Sequence, residues 1–476
     1  MNRGSDHKEQ FYGLDTINVH FLDKASKLPL VISPRFDDSI EFICTWLKEN
    51  RSWVNNQMQH YGAVLIRGFQ IDSPVDFEMT TLALDPNLSD KYRGTSPRSL
   101  QKDTKYAFSA ADVPVNYPIA QHLEMSFLRA PPKQLYFGCI KESRSYGGET
   151  SLCDFRKVYQ DLSPELIDKF LSKKVKYSRM NQRVGDKYTF DVGAMKTWCD
   201  LFGTSNKKEV ELICEDENAP KPQWIGPNND TFYQEWIDEA IQRHPNTNDL
   251  VWFNHSQVFH WTTFPEELWY AFCRMKSLQL FIHFLLVSIF TFVKYGLLGY
   301  KMSLDITFGD GTPISCQQMR EIRKAIHKNM VFSRWQKGDI LCIDNFSTSH
   351  GRQPTYDKER KVVVAWSQPE VKPSLVDENY VVDGDVTCGA VPNNNEKESI
   401  IPSLTAVTPS STPESSLTKQ SAEELQYSLN VFKLTTDDDN NKVQHKTNDN
   451  NMYHRRLRSC PNPLLTADSE FWNSTM

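Results

Sequence analysis

Gln121-His122-Leu123-Glu124-Met125-Ser126 is the stretch on which the reading of this chain turns. His122 and Glu124 are two residues apart, so on an extended strand both side chains point to the same face. A second stretch, Thr348-Ser349-His350-Gly351-Arg352, places a histidine 226 residues after Glu124. Two imidazoles and one carboxylate gathered on one side of an ion leave three coordination positions open, the ligand arrangement of non-haem Fe(II) oxygenases. Taken alone, His-x-Glu is a weak signal, because a surface pair on a strand produces it by chance in many chains. Its neighbours decide what it means.

Working outward, Gly147-Gly148-Glu149-Thr150-Ser151-Leu152-Cys153-Asp154 follows the first stretch at short range. Trp335-Gln336-Lys337-Gly338-Asp339-Ile340-Leu341-Cys342-Ile343-Asp344-Asn345 leads directly into His350. Arg360 and Lys361 precede the apolar run Val362-Val363-Val364-Ala365-Trp366. Gly62-Ala63-Val64-Leu65-Ile66-Arg67-Gly68, an aliphatic run with a glycine at each end, reads as a buried strand. Residues 132–140, 338–344 and 362–366 are further strand candidates, rich in aliphatic and aromatic side chains. Residues 37–49 carry Ile40, Ile43, Cys44 and Leu47 at helical spacing, and residues 161–170 read as a helix with a Ser-Pro-Glu start. Many short strands among few helices predict a mainly β domain with flanking helices, a decorated sandwich or jelly roll.

Taken together and in order, these motifs resemble the taurine dioxygenase (TauD/TfdA-like) family of Fe(II)- and 2-oxoglutarate-dependent oxygenases. The resemblance covers roughly residues 28–368. It is closest to a branch with a His-Asn-Glu-Met-Ser-Tyr-type motif, which includes amino-acid β-hydroxylases. It implies a double-stranded β-helix of the clavaminate synthase-like kind. It makes His122, Glu124 and His350 the iron ligands, and Thr150 a hydrogen-bond donor to a 2-oxoglutarate carboxylate. Arg360, ten residues after His350, would pair with the distal carboxylate through its guanidinium fork, with Arg352 as the alternative. Asp344 and Asn345 read as bracing groups, and the segment from Gly309 to Ile314 as a turn opening a helix. Related halogenases lack the carboxylate ligand, so Glu124 points to hydroxylation or desaturation. The implied reaction consumes 2-oxoglutarate and O2, releases succinate and CO2, and oxidises a small molecule, an amino acid or related metabolite. For that substrate, Asn254 and His255 in the aromatic stretch from Val251 to His260, and the arginines of Tyr92-Arg93-Gly94-Thr95-Ser96-Pro97-Arg98, are candidate contacts, weighed against ordinary packing and exposed-loop roles. A reading of another class is a catalytically silent jelly-roll module that binds a ligand or partner.

The 476 residues carry a net charge of −6, and the acidity is local. From Pro369 onward there are 9 Lys+Arg against 16 Asp+Glu, which leaves the preceding residues at a net of +1. A near-neutral body argues against a nucleic-acid partner. Runs such as Asp437-Asp438-Asp439-Asn440-Asn441 are too polar to offset their ordering entropy, so residues 369–476 read as a disordered acidic tail. The expected layout is an extension at 1–20, a catalytic domain at 21–368 and that tail. Ten scattered cysteines without a CxxC pair read as reduced thiols, and no apolar leader opens the chain, so the expected compartment is the cytoplasm.

One segment departs from the resemblance. Residues 277–293 carry no formal charge and lie within an apolar insertion at 277–299. Seventeen such residues reach the lower limit for a bilayer span. A span would put Glu124 and His350 on opposite sides of a bilayer, which one shared ion forbids. The open readings are a buried or lid-like helix, a hairpin in contact with a membrane surface, or untranslated sequence carried into the reading frame.

Overall fold

Strand parity, apolar on alternate sides, builds the sheet that carries the domain. The computed structural model describes residues 14–373 except 95–97, 111–112, 184–196 and 218. The segment read as an acidic tail lies outside the described residues from 374 onward. Seven strands form the larger sheet, in the order Ile17–Phe21, Leu30–Pro34, Ala63–Ile66, Ile340–Asp344, Gln134–Lys141, Lys361–Trp366 and Phe108–Ser109. All pairs are antiparallel except Leu30–Pro34 with Ala63–Ile66, which is parallel. The sheet therefore begins at Ile17, ahead of the domain start expected from the sequence.

Along Lys361–Trp366 the two faces have different neighbours. Val363 and Ala365 pack against Ile43, Leu47, Val54 and Phe77 from the helices Ile40–Glu49, Arg51–Tyr61 and Pro74–Leu84. Val362, Val364 and Trp366 pack the other way, with Leu135, Phe137 and Leu152. Leu152 belongs to a second, four-stranded antiparallel sheet ordered Met330–Ser333, Thr150–Asp154, Thr348–Arg352, Ile119–His122. Each fully buried aliphatic side chain between the sheets contributes about 1.5–3 kcal/mol of transfer free energy. A third sheet of four strands, Leu304–Phe308, Val175–Asn181, Thr231–Asp238 and Gln223–Ile225, stands beside these. The result is a mainly β protein with flanking helices.

The helix ends follow local chemistry. Ser73 and Asp76 form a reciprocal capping box ahead of Pro74–Leu84. The helix expected over 161–170 is Pro164–Lys173, starting at the Ser-Pro-Glu, and a separate helix, Phe155–Asp161, ends just before it. Ser163 caps Pro164–Lys173 by accepting from Leu166 N–H, and Pro164 at its first position cannot continue the helix before it. The apolar insertion forms the helix Leu278–Thr291, continued by a π-helical stretch Phe292–Leu297. It packs through Leu280 onto Leu268 and Ala271 of the helix Thr263–Met275.

Candidate metal centre

Two histidines are brought together by strand pairing alone. His350, in Thr348–Arg352, lies directly across from His122, the last residue of Ile119–His122. Their ring centroids are 4.2 Å apart. Glu124 Oε2 is 3.8 Å from His122 Nε2 and 3.7 Å from His350 Nε2. The three donor atoms all lie within 4.8 Å of one another.

Glu124 reaches this position by a route the sequence does not announce. The strand stops at His122, and Glu124 stands in the turn that follows, with Met125 at φ 54. The expectation that both side chains project from one continuous strand is therefore corrected: a turn, and not strand parity, aims Glu124. Asn345 holds that turn. Its Oδ1 accepts from Glu124 N–H at 2.7 Å, while its Nδ2 donates to the carbonyls of Glu124 at 3.0 Å and Pro132 at 2.8 Å. Asp344 braces the approach to His350. It accepts from Ser347 Oγ, from Phe346 N–H at 3.2 Å and from His244 Nε2 at 2.9 Å.

Electrostatics leave the donors in the forms an ion requires. His122 Nδ1 donates to Ala120 O at 2.9 Å, which keeps the Nε2 lone pair free on the Glu124 side. Burial, reinforced by the neighbouring His122, pushes the His350 imidazole down to about 4, so it is neutral at pH 7. Its Nδ1 is buried with no partner among the described residues. Burial alone would raise the Glu124 carboxyl, but the adjacent Arg98 cation leads the groups that outweigh it and hold it well below its usual range. Arg98 Nη2 donates to Glu124 Oε2 at 2.8 Å and Tyr92 OH donates to Oε1 at 3.1 Å. Arg98 is thus a buried partner of a site carboxylate, not an exposed loop arginine.

Thr150 begins the strand next to His350's and is buried opposite Arg352. The two candidate arginines separate cleanly. Arg352 spends its guanidinium on the carbonyls of Val113 at 3.2 Å, Pro114 at 2.6 Å and Tyr117 at 2.9 Å. Arg360 donates only Nε, to Gly148 O at 2.7 Å, and among the described residues its two terminal nitrogens have no hydrogen bond. Burial lowers Arg360 to about 10, against the pull of Cys139 and Glu149, so it stays cationic at pH 7.

Of the aromatic-stretch candidates, Asn254 is occupied by backbone, donating to Ala240 O at 2.8 Å and accepting from Ser256 N–H at 2.9 Å. His255 lies with its ring 6.1 Å from that of His122 and bonds Ser126 Oγ through Nδ1 at 2.7 Å. Arg93 is paired with Glu217 at 2.8 Å. Sequence reasoning missed Arg179 and Gln242. Both are buried and line a cavity of about 690 Å³ together with Met125, Phe127, Trp236 and Trp366. Arg179 Nη2 and Gln242 Oε1 are buried without partners among the described residues. The signal was in the alternation of Val175–Asn181, where Arg179 takes the buried parity of Val175 and Tyr177.

A family model described as "Taurine catabolism dioxygenase TauD, TfdA family" matches residues 27–366. The chain belongs to this family. It is 28% identical over 317 residues to the dapdiamide synthesis protein DdaC of Enterobacter agglomerans, covering 66% of this chain and 85% of that protein. It is 25% identical over 351 residues to a clavaminate synthase-like protein of Arabidopsis thaliana, covering 72% of this chain and 94% of the relative. Among solved structures, PvcB of Pseudomonas aeruginosa aligns with a TM-score of 0.41 at 11% identity, over 76% of this chain and 94% of that one. As a TauD/TfdA member this protein is a 2-oxoglutarate-dependent dioxygenase, using Fe(II), 2-oxoglutarate and O2. The donor set fits that ion in kind: two imidazole nitrogens and one ionised carboxylate oxygen converge within 4.8 Å of one another.

Proposed function

We propose that this dioxygenase hydroxylates a small amino-acid-like metabolite, converting C–H to C–OH while 2-oxoglutarate and O2 become succinate and CO2. The observation that carries the reading is the convergence of His122, Glu124 and His350 across the directly paired strands. In this reading these three residues hold Fe(II), which supplies the oxidising power once cosubstrate and O2 are bound. The facing antiparallel sheets support a double-stranded β-helix around them.

The chain's own groups have distinct tasks. Arg360 offers its free fork to the distal carboxylate of 2-oxoglutarate, and Thr150 a hydroxyl to a carboxylate oxygen. Asn345 holds the Glu124 turn, and Ala120 O fixes the His122 tautomer. In the neighbouring cavity Arg179 Nη2 is an unused cationic donor and Gln242 Oε1 an unused acceptor. A carboxylate against the first and an ammonium against the second would satisfy two buried groups otherwise left at a cost of about 1–3 kcal/mol each. That pairing supports an amino-acid substrate. Phe127, Trp236 and Trp366 keep the same cavity apolar around it.

The test is succinate formation with Fe(II) and ascorbate, screened over amino acids and scored above the substrate-free background. Turnover by the wild-type protein and none by His122→Ala is the expected result. Equal succinate from both proteins would refute the ligand assignment, and the absence of both stoichiometric Fe(II) binding and uncoupled 2-oxoglutarate turnover would favour a silent binding module.

A further inference from the structure

We infer that the insertion Leu278–Leu297 is a membrane-surface anchor that docks the enzyme on an anionic lipid bilayer. Its apolar side chains are not all spent on the protein. Leu278, Ile282, Leu285, Leu286, Ile289, Val293 and Leu297 are exposed, up to 71% at Leu278. They recur every three or four residues, which is one continuous stripe on a helix. Leu280, His283, Thr291 and Tyr295 are buried instead, on the side turned toward Thr263–Met275. Single exposed leucines are ordinary on a soluble protein, but a contiguous aliphatic face of this length marks a contact surface.

Charge indicates which surface. Between Glu267 and Asp305 there is no acidic residue, while Lys276, Lys294 and Lys301 flank the apolar stripe. Tyr300, exposed, stands at the same end as Lys294 and Lys301. Aliphatic side chains bordered by lysine and tyrosine match a bilayer interface, where the apolar stripe sinks about 5–10 Å and the cations meet lipid phosphates.

The helix lies on the bilayer and does not cross it, because both its ends return to one body. Before it, Arg274 in Thr263–Met275 is ion-paired at 2.9 Å with Glu149, next to Thr150, and Ser277 Oγ is 2.6 Å from Tyr356 OH. After it, Leu304–Phe308 pairs in register with Val175–Asn181. A crossing would tear one of these attachments away. An interfacial helix keeps both, and holds the catalytic domain in a fixed orientation to the membrane.

Co-sedimentation with sucrose-loaded vesicles tests this. The full chain is expected to bind vesicles of equimolar phosphatidylcholine and phosphatidylglycerol at least tenfold more tightly than vesicles of phosphatidylcholine alone. Leu286→Asp/Ile289→Asp, on the exposed face, should abolish binding while leaving the circular dichroism spectrum unchanged. Lys294→Gln and Lys301→Gln should each weaken binding roughly fivefold. Failure of the wild type to sediment with either vesicle would overturn the inference. So would undiminished binding by the aspartate variant, or a dimeric wild type that the two aspartates render monomeric, which would assign the face to a second copy of the chain.

Discussion

Arg352 and Arg360 are separated in sequence by eight positions and in function by what their nitrogens already hold. Three carbonyls of the segment 113–117 take the Arg352 fork, so its truncation removes structure. Arg360 keeps its fork open. Arg360→Ala is expected to raise the KM for 2-oxoglutarate roughly 10- to 150-fold, the range for losing charge-assisted hydrogen bonds worth about 1.5–3 kcal/mol. Arg352→Ala is expected instead to lower the urea midpoint, with a smaller change in that KM; steady-state kinetics and denaturation separate the two. A different residue contributes to the response to acid. His260 donates Nε2–H to Ile314 O at 3.0 Å and accepts at Nδ1 from Thr262, whose hydroxyl also accepts from Arg323 at 2.7 Å. Burial first, and then the Arg323 charge, push its imidazole down from 6.5 to about 3. The fold needs the neutral ring, so its contribution is whole above pH 6.5 and drains away as pH falls toward about 3. His260→Gln should be less stable than wild type at pH 7 yet show a flatter loss of stability over that window, read from urea titrations at successive pH values.

The turn after Ile119–His122 is the element on which the site depends most. Asn345, fully buried, supplies three hydrogen bonds to the carbonyl and amide groups around it. Asn345→Ala strands those groups without partners, so a loss of about 2–3 kcal/mol is expected, together with weaker Fe(II) binding because Glu124 loses its aim. Isothermal titration with Fe(II) or Mn(II) and a urea series would check both parts. The strands were legible from composition: the runs at 62–68, 132–140, 338–344 and 362–366 all contain strands, because uninterrupted aliphatic residues suit a sheet buried on both faces. The turn was not legible, since the side chain that fixes it is 221 residues away in sequence. Arg98 was visible only as a candidate substrate contact, because its burial depends on Tyr92, Trp366 and Glu124 closing around it. Arg179 left a trace in strand parity that was open to reading and passed over.

For the whole molecule, ligand and fold are coupled. Three donors that the fold brings near one another give the folded state a metal affinity that an unfolded chain lacks, so metal and cosubstrate stabilise it by mass action. At a hundredfold excess over Kd the gain is about 2.7 kcal/mol. Adding Mn(II) with 2-oxoglutarate should therefore raise the midpoint of thermal unfolding by several degrees and a chelator should remove the shift, whereas His122→Ala should show no shift at all. Differential scanning calorimetry reads this directly. The apolar insertion shows how far sequence reasoning about the whole chain could go. A single shared site argues against a bilayer span, and both ends of the helix attach to one body.

The pairing of His122 with His350 also sets a schedule. A ribosome adds roughly 5–20 residues per second, so the 226 residues from Glu124 to His350 occupy roughly 11–45 s of synthesis. Throughout that interval the nascent chain presents a histidine and a carboxylate with no third donor, too few to retain an iron ion. Thr348–Arg352 lies between Thr150–Asp154 and Ile119–His122, so the strand that joins these two halves of the second sheet also brings the third donor of the proposed ligand set. In the proposed reading, iron loading waits until the last central strands have found their register.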